Sequence, residues 1–238
     1  KVISSIVVLL LTVVLLPWAE FRTWAKTDYS MDDYDEVVST YSIDQSILGY
    51  NDYLKQFQES YPETTLHIGV DQIARYDEND RAADPTFYSD YEGMSGKSVY
   101  TTENSLIEFE FQIEEEGFYD MSFVYYPVAG KNSDIERSIF IDGKLPYREM
   151  AAIDFYRIWK FDVMYSGTDK SGSVAYNWEK DNQGNDIRPT MMEVPEWITG
   201  YVYDSEGYVT APLAVYLTKG THTITVLSLR EPMLIHEI

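Results

Sequence analysis

Three large aromatic side chains stand near hydrogen-bonding side chains in segments that lack a regular strand pattern. The rings are Tyr126, Trp178 and Trp197, and the polar partners are Lys131, Arg137, Asn185, Asp186 and Arg188. A sugar has an apolar C–H face that stacks on a flat ring, and hydroxyl groups that bond to polar side chains. This mixture therefore predicts a sugar-type binding site. The alternative is structural: Trp197 anchors its loop against the protein, and Arg188 pairs with a nearby acid.

Carboxylates offer a second chemistry. Glycoside hydrolysis needs two carboxyl groups about 5 to 10 Å apart across a sugar. Four acids fall in or near predicted loops, namely Glu136, Asp186, Glu193 and Glu196. With 40 Asp and Glu residues in the chain, such neighbours are expected by chance. His67 and His222 lie in or beside predicted strands, and no zinc or phosphate-loop motif occurs, so the sequence favours a protein that is not an enzyme.

The composition of the chain excludes several kinds of partner and of site chemistry. The formal charge of −22 repels phosphate backbones, which argues against a nucleic-acid partner. The absence of cysteine excludes disulfides, thiolate metal sites and a cysteine nucleophile. An acidic, cysteine-free chain with an export signal is typical of a bacterial cell surface.

The N-terminal segment carries such a signal. An apolar run from Val2 to Leu16 matches the core of a signal peptide and is short for a membrane-spanning helix of about 20 residues. Cleavage after Ala25 is expected, so 1–25 is predicted to be a signal peptide. An uncleaved anchor is the alternative, with Trp18 and Trp24 at the membrane interface.

Residues 26–63 are predicted to form an acidic linker followed by one amphipathic helix. The linker covers 26–42 and shows little hydrophobic pattern. Ile47, Tyr50, Leu54 and Phe57 follow helical spacing, which predicts a helix near 44–60 that ends before Pro62.

Residues 64–238 alternate with a period of two and are predicted to form a mostly β, jelly-roll β-sandwich. The clearest strand is Leu106 to Ile113, whose glutamates 108 and 110 are expected on a wet face. Other predicted strands follow the same rule: Phe118–Tyr126, Arg137–Asp142, Leu145–Met150, Ile153–Phe161, Leu213–Thr218, Thr221–Leu229 and Leu234–Ile238. The stretch 162–210 interrupts the rhythm, and such a long connection is usually functional when it is ordered. We expect it to lie at the same end of the sandwich as the 126–137 loop.

Three sequence blocks support the fold assignment. Glu116–Tyr126, Ser138–Gly143 and Leu217–Val226 resemble strands of galactose-binding-like jelly rolls, in the order found in carbohydrate-binding modules of that fold. The segments Asn182–Pro189 and Leu229–Met233 resemble the N-terminal module of large exported Gram-positive proteins of the extracellular solute-binding type. That resemblance implies further domains beyond residue 238 and a sugar-transporter partner.

The jelly-roll resemblance also implies a structural calcium ion. Such modules hold it with a carboxylate near the first strands and an Asp near the last, because oxygen ligands suit this cation. Glu92 stands where the first ligand is expected. His236 stands where the Asp is expected and is a poor calcium ligand, and Glu237 alternates to the other face of the strand.

Two functions remain open. One is a carbohydrate-binding accessory module of an exported protein associated with sugar uptake. The other is a docking domain that positions a C-terminal unit without binding glycan. Exposed aromatic rings favour the first, and burial of both Trp178 and Trp197 favours the second.

Overall fold

The computed structural model describes residues 30–40, 46–162, 164–168, 171–172 and 174–238. Two helices are present in this part, α1 (Met31–Thr40) and α2 (Tyr50–Leu54), with short 3₁₀ turns at Val70–Gln72, Tyr91–Gly93 and Arg148–Ala151. The strands are β1 (Ile73–Glu78), β2 (Arg81–Ala82), β3 (Thr86–Ser89), β4 (Lys97–Thr101), β5 (Ser105–Ile113), β6 (Gly117–Asp120), β7 (Ser122–Pro127), β8 (Ile135–Ile141), β9 (Ile153–Phe155), β10 (Trp159–Phe161), β11 (Met164–Thr168), β12 (Val174–Asn177), β13 (Met191–Glu193), β14 (Ile198–Tyr201), β15 (Ala214–Leu217), β16 (Gly220–Arg230) and β17 (Met233–Glu237).

Two antiparallel sheets form the body of the protein, which confirms the predicted mostly β sandwich. The first sheet has the order β2-β1-β5-β16-β8-β9. The second has the order β14-β7-β17-β4-β3, and β6 pairs separately with β15. The long central strands β5 and β16 pair along eight positions, from Gly220 opposite Ile113 to Leu227 opposite Leu106.

The inner faces of the two sheets share one apolar core. The first sheet contributes Ile107, Phe109 and Val226, and the second contributes Phe123 and Ile235. Each is at most 1% exposed. Side chains alternate along a strand. The residues next to Phe123 on β7, next to Ile235 on β17 and next to the buried Val99 on β4 therefore point to the outer face of the second sheet.

Helix α1 covers the outer face of the first sheet. Its start is capped, since the Ser30 and Asp33 side chains each bond to the other residue's backbone N–H. Met31 and Tyr34 are buried against the sheet, and the Tyr34 ring lies 4.5 Å from that of Phe140. The stretch predicted as an acidic linker therefore includes a helix at Met31–Thr40. Glu108, expected on a wet face, is only 8% exposed and accepts a hydrogen bond from Thr225.

The second lead-in helix is shorter than the 44–60 helix that the spacing predicts. Helix α2 covers only Tyr50–Leu54. Residues 41–45 are outside the part of the chain that the structure describes. Its two buried tyrosines dock on strand β15. The Tyr50 hydroxyl accepts the Ala214 amide at 3.1 Å, and the Tyr53 hydroxyl accepts the Tyr216 amide at 2.8 Å. These phenols satisfy backbone groups that a neighbouring strand would otherwise pair.

Three predicted strands differ from the observed ones. The Phe118–Tyr126 strand is two strands, because the chain leaves β15 after Asp120 and pairs with β14 and β17 from Ser122 onward. The Ile153–Phe161 strand is likewise split into β9 and β10. Asp142 and Gly143 form the expected turn, and both have positive φ. The described residues Leu145–Met150 do not form the predicted return strand; this segment leads instead into the 3₁₀ turn Arg148–Ala151.

The 162–210 excursion is ordered where the structure describes it. It contributes ribbon β11–β12, then β13, which pairs with the preceding β10, and then β14, which joins the second sheet beside β7. The predicted signal segment 1–25 lies outside the described residues. Among the described helices, none has the length and apolar character needed to cross a membrane.

Candidate functional site

Six rings form a continuous cluster on the outer face of the second sheet. We call them the outer-face cluster: Tyr88, Tyr91, Tyr100, Tyr126, Trp197 and His236. The strands place them there by alternation. Val99, Tyr125 and Ile235 face the core, so their neighbours Tyr100, Tyr126 and His236 face outward.

Consecutive rings in the cluster are in contact. Tyr126 lies at its centre, with ring centroids 5.2 Å from Tyr91 and 5.4 Å from Trp197. His236 lies 5.8 Å from Trp197, and Tyr88 lies 5.3 Å from Tyr91. Most pairs are edge-to-face or tilted, the geometries that aromatic pairs prefer. Tyr126 is buried beneath its neighbours, whereas Trp197 is half-buried and Tyr88 is 40% exposed.

Hydrogen bonds fix Trp197 over the sheet. Its indole N–H donates to the carbonyl of Tyr91 at 2.9 Å, and the Tyr126 hydroxyl donates to the carbonyl of Pro195 at 3.4 Å. The next residue, Ile198, starts strand β14 opposite Tyr125. The end of the excursion is thereby attached to the rings below it.

A tight turn presents Tyr91. Asp90 and Glu92 both have positive φ, 50° and 45°, a backbone region that few residues other than glycine adopt. The turn is held by the Asp90 side chain, which accepts the Gly96 amide at 2.9 Å. Left-handed residues at this density are costly and often occur at functional sites.

The electrostatic surroundings of the cluster are acidic. Burial raises the pKa of Tyr126, and the nearby Tyr91, Glu92 and Glu193 raise it further. Burial also raises the pKa of Tyr100, with smaller contributions from Tyr88, Glu78 and Glu103. Each pKa shift has the sign expected when a phenolate forms in an apolar or negatively charged environment. Both phenols are therefore neutral hydrogen-bonding groups at neutral pH.

A buried ion network lies behind the site. The Arg157 side chain, 0% exposed, contacts Glu193 at 2.6 Å and the equally buried Glu231 at 3.0 Å. It also donates to the carbonyls of Val128 and Ser133 in the β7–β8 loop. This one guanidinium joins the loop, the turn between β16 and β17 that carries Glu231, and excursion strand β13. The 126–137 loop and the excursion, which were expected at the same end of the sandwich, are connected here through Arg157.

The predicted basic residues of the loop have structural roles. Arg137 is fully buried and donates to three carbonyls, those of Glu136, Arg230 and Glu231. Ile135, Arg137 and Ile139 are alternate residues of β8 and lie on the same, buried face of that strand. Arg137 therefore points into the protein, and its assignment as a ligand-binding residue is wrong. Lys131 is exposed but pairs with Glu103 at 2.6 Å. These two residues do not form a basic pocket.

Between described residues, no ring contact or hydrogen bond joins the predicted residues of the excursion other than Trp197 to the outer-face cluster. Trp178 is 39% exposed. Asn185 bonds to the turn residue Asp181, Asp186 pairs with Lys180, and Arg188 lies 5.9 Å from the ring centroid of Phe161. Of the eight predicted binding residues, the structure brings together Tyr126 and Trp197.

Four members of the cluster were not predicted: Tyr88, Tyr91, Tyr100 and His236. The sequence signal that could have found two of them is the alternation in β4 and β17, where Tyr100 and His236 follow core residues. The turn that presents Tyr91 has no such pattern, since its conformation depends on two left-handed residues.

The calcium site implied by the jelly-roll resemblance does not fit these residues. His236 bonds to Ser98 at 3.1 Å and faces Trp197, and Glu92 lies beside Tyr126. Within the described ranges, no group of three or more His, Asp or Glu side chains is arranged to hold a metal ion.

Comparisons with known proteins give no family. No family model matches the chain, and no curated protein matches it. Among solved structures, a Paenibacillus cycloisomaltooligosaccharide glucanotransferase complexed with cycloisomaltoheptaose is similar at 14% identity and a TM-score of 0.37, over 75% of this chain and 19% of that one. An Arthrobacter globiformis isomalto-dextranase complexed with panose is similar at 10% identity and a TM-score of 0.34, over 66% and 20%. A family 35 carbohydrate-binding module from Clostridium thermocellum is similar at 13% identity and a TM-score of 0.35, over 73% and 99%. This chain spans about a fifth of the first two proteins, and similarity at this level does not identify a function.

Proposed function

We propose that this protein is a non-catalytic carbohydrate-binding module and that the outer-face cluster is its sugar-binding surface. The observation that carries the proposal is the continuous contact of six rings on one sheet face, with Trp197 and Tyr88 partly open to solvent. Aromatic rings supply flat apolar surface for the C–H face of a sugar. Glu92 and the imidazole of His236 supply hydrogen-bonding groups beside them.

A binding role also agrees with the state of the carboxylates that could have served a hydrolase. Glu193 pairs with Arg157, Asp186 with Lys180, and Glu136 with Arg230 at 3.1 Å. Each of these three carboxylates is thus already engaged in an ion pair of the structure.

The cellular setting of the proposal comes from the sequence. The apolar run Val2–Leu16 and the resemblance to solute-binding-type proteins support an exported module at the surface of a Gram-positive bacterium. In that setting the module holds a glycan near a sugar transporter.

Glycan binding by paired tryptophan variants tests the proposal. We expect Trp197→Ala to weaken binding of a neutral oligosaccharide, selected from a glycan array, by roughly 1 to 3 kcal/mol, or about 5- to 150-fold, by analogy with base stacking on aromatic rings. Trp178→Ala is the matched control, because Trp178 is an exposed tryptophan of the same excursion outside the cluster. Circular dichroism and thermal unfolding must show that both variants fold.

A docking role is the second candidate, and one feature favours it. Ribbon β10–β13 exposes Phe161 and Met191, which lie opposite each other and are each more than 40% exposed. Exposed apolar side chains in a contiguous group often mark a contact with another protein. If no glycan on the array binds and substitution of these two residues abolishes retention by a partner domain, docking is the function.

A further inference from the structure

Some of the acidic side chains around the outer-face cluster have a basic partner, and others have none. Acids approach it from four elements, three of which are the turn that presents Tyr91, with Asp90 and Glu92, strand β13, with Glu193, and the segment after β4, with Glu103. Glu78 approaches Tyr100 from β1. The electrostatic neighbours that raise the pKa of Tyr126 and Tyr100 are acids and other phenols.

The cations in this region are already engaged. Arg157 holds Glu193, and Lys131 holds Glu103 at 2.6 Å. Arg137 is buried on backbone carbonyls. Lys97, at the start of β4, lies over the ring of Phe87, which is paired with Val99 on the core-facing side of the strand.

Three of these acids, Glu78, Asp90 and Glu92, form no ion pair with any residue that the structure describes. Glu78 is half-buried on β1, and Asp90 accepts the Gly96 amide within the turn. Glu92 is exposed. Its backbone is held at φ 45° next to Tyr91, the ring that contacts both Tyr88 and Tyr126. A carboxylate without a counter-ion thus stands beside a platform of electron-rich ring faces.

From this arrangement we infer that the cluster selects glycans that carry a free amino group, and that Glu92 is the residue that recognises the ammonium. The inference rests on the proposed function. An ammonium gains from both features at once, because it is attracted to the face of an aromatic ring and to a nearby carboxylate. A uronic acid meets the same charges with repulsion, and a neutral sugar gains from the rings and from hydrogen bonds but not from attraction between opposite charges.

A matched ligand series tests the inference. Calorimetric titration of the purified full chain compares three β-1,4-linked tetramers that differ only at C2: the glucosamine tetramer, the N-acetylglucosamine tetramer and the glucose tetramer. We expect the glucosamine tetramer to bind at least about 10-fold more tightly than the glucose tetramer, which corresponds to about 1.4 kcal/mol. Glu92→Gln is expected to bring the ratio close to one, because the amide keeps a hydrogen-bonding group at this position but removes the charge that attracts the ammonium.

Two controls separate recognition from general attraction between a cation and a protein of charge −22. Glu63→Gln removes one negative charge at an exposed site in the lead-in and must keep the 10-fold ratio. Tetralysine measures attraction without a sugar, and its affinity must change equally in the Glu92→Gln and Glu63→Gln variants.

The outcomes are distinct. Equal or weaker binding of the glucosamine tetramer, with the glucose tetramer still bound at Trp197, overturns the amino-sugar inference and leaves the proposed function standing. A 10-fold preference that survives in Glu92→Gln overturns the role of Glu92. Failure of all three tetramers and of every glycan on the array overturns both the inference and the proposed function.

Discussion

The indole N–H of Trp197 donates to the carbonyl oxygen of Tyr91 at 2.9 Å, across 106 residues of sequence. The same carbonyl accepts the Met94 amide at 3.0 Å, so it also closes the turn that presents Tyr91. The end of the excursion and a turn between β3 and β4 therefore share one acceptor. This bond fixes the two rings that flank Tyr126 relative to each other.

The bond can be removed while the ring is kept. Trp197→Phe keeps an aromatic face but has no N–H, and we expect it to lower the free energy of unfolding by about 1 kcal/mol. Urea denaturation of the two proteins measures the difference. Trp178→Phe, at an exposed tryptophan, is expected to change stability by less than about 0.5 kcal/mol. Equal effects of the two substitutions would show that the Tyr91 bond contributes nothing.

Arg157 is expected to be the most costly side chain to remove among those behind the site. Arg157→Met leaves the fully buried Glu231 and the half-buried Glu193 without their cation. Breaking a buried pair in this way costs about 3 to 5 kcal/mol. Arg230→Met, which removes an exposed partner of Glu136, is the control and is expected to cost less than about 1 kcal/mol. A loss below about 1 kcal/mol for Arg157→Met contradicts this account.

Gly130 faces Glu231 so closely that no side chain fits between them. A Cβ at this position would lie 1.8 Å from the Glu231 carboxylate, so Gly130→Ala must displace the β7–β8 loop or the carboxylate. We expect a lower melting temperature and a loss of hydrogen-exchange protection at the Lys131 and Ser133 amides, which donate to Glu231. Ala129→Gly is the control, because it changes the same loop without adding a side chain. Gly207→Ala is not a suitable control, because the positive φ of Gly207 would itself strain an alanine.

His222 gives the protein a predictable pH dependence. Its Nδ1 lies 2.7 Å from the Asp142 carboxylate, and this bond raises the pKa of His222 against the opposing effect of burial. A raised folded-state pKa means that the contribution is complete below the unfolded value of about 6.5 and is lost as pH rises through the folded value. Stability should therefore fall above about pH 6.5.

The variant that tests this pH dependence is Asp142→Asn. Asn tolerates the positive φ of this turn position, but it lacks the charge that raises the pKa of His222. In NMR titrations the His222 pKa should be lower in the variant than in the parent protein, and the fall in stability above about pH 6.5 should shrink. An unchanged His222 pKa would contradict the assignment.

The lead-in tyrosines are expected to stabilise the edge of β15. Tyr53→Phe keeps the ring packed but leaves the Tyr216 amide without its acceptor, at a cost of about 1 to 3 kcal/mol for a buried group. Faster hydrogen exchange at Tyr216, with Ala214 unchanged, would show that the effect is local. Tyr50→Phe should give the reciprocal pattern, because Tyr50 accepts the Ala214 amide.

The parts of the fold that alternation governs could be predicted from sequence. Strands β5 and β16 are long and lie at the centre of a sheet, so burial of one face imposes a clear period of two. The same rule, applied to Arg137, would have placed it with Ile135 and Ile139 on the buried face. Strand β14 was missed because its four residues follow Pro195 and Trp197 within an excursion that has no pattern of its own.

The candidate site could be predicted only in part, because it is assembled from distant segments. Tyr126 and Trp197 were recognised by residue type. Tyr91 reaches them through a turn with two left-handed residues, and Arg157 joins the loop to β13 by side-chain contacts that no local sequence pattern specifies. Helix α1 was missed for a similar reason, since its apolar stripe is short and its stability comes from packing on the sheet.

The central claim is that glycan binds on the outer-face cluster, and the five tryptophan indole signals test it most directly. In a two-dimensional NMR titration with the best array ligand, we predict that the indole N–H signal of Trp197 shifts and saturates. The signal of Trp178 should stay in place. A saturating shift of Trp178 with Trp197 unmoved, or no shift of Trp197 with any glycan, would contradict the claim.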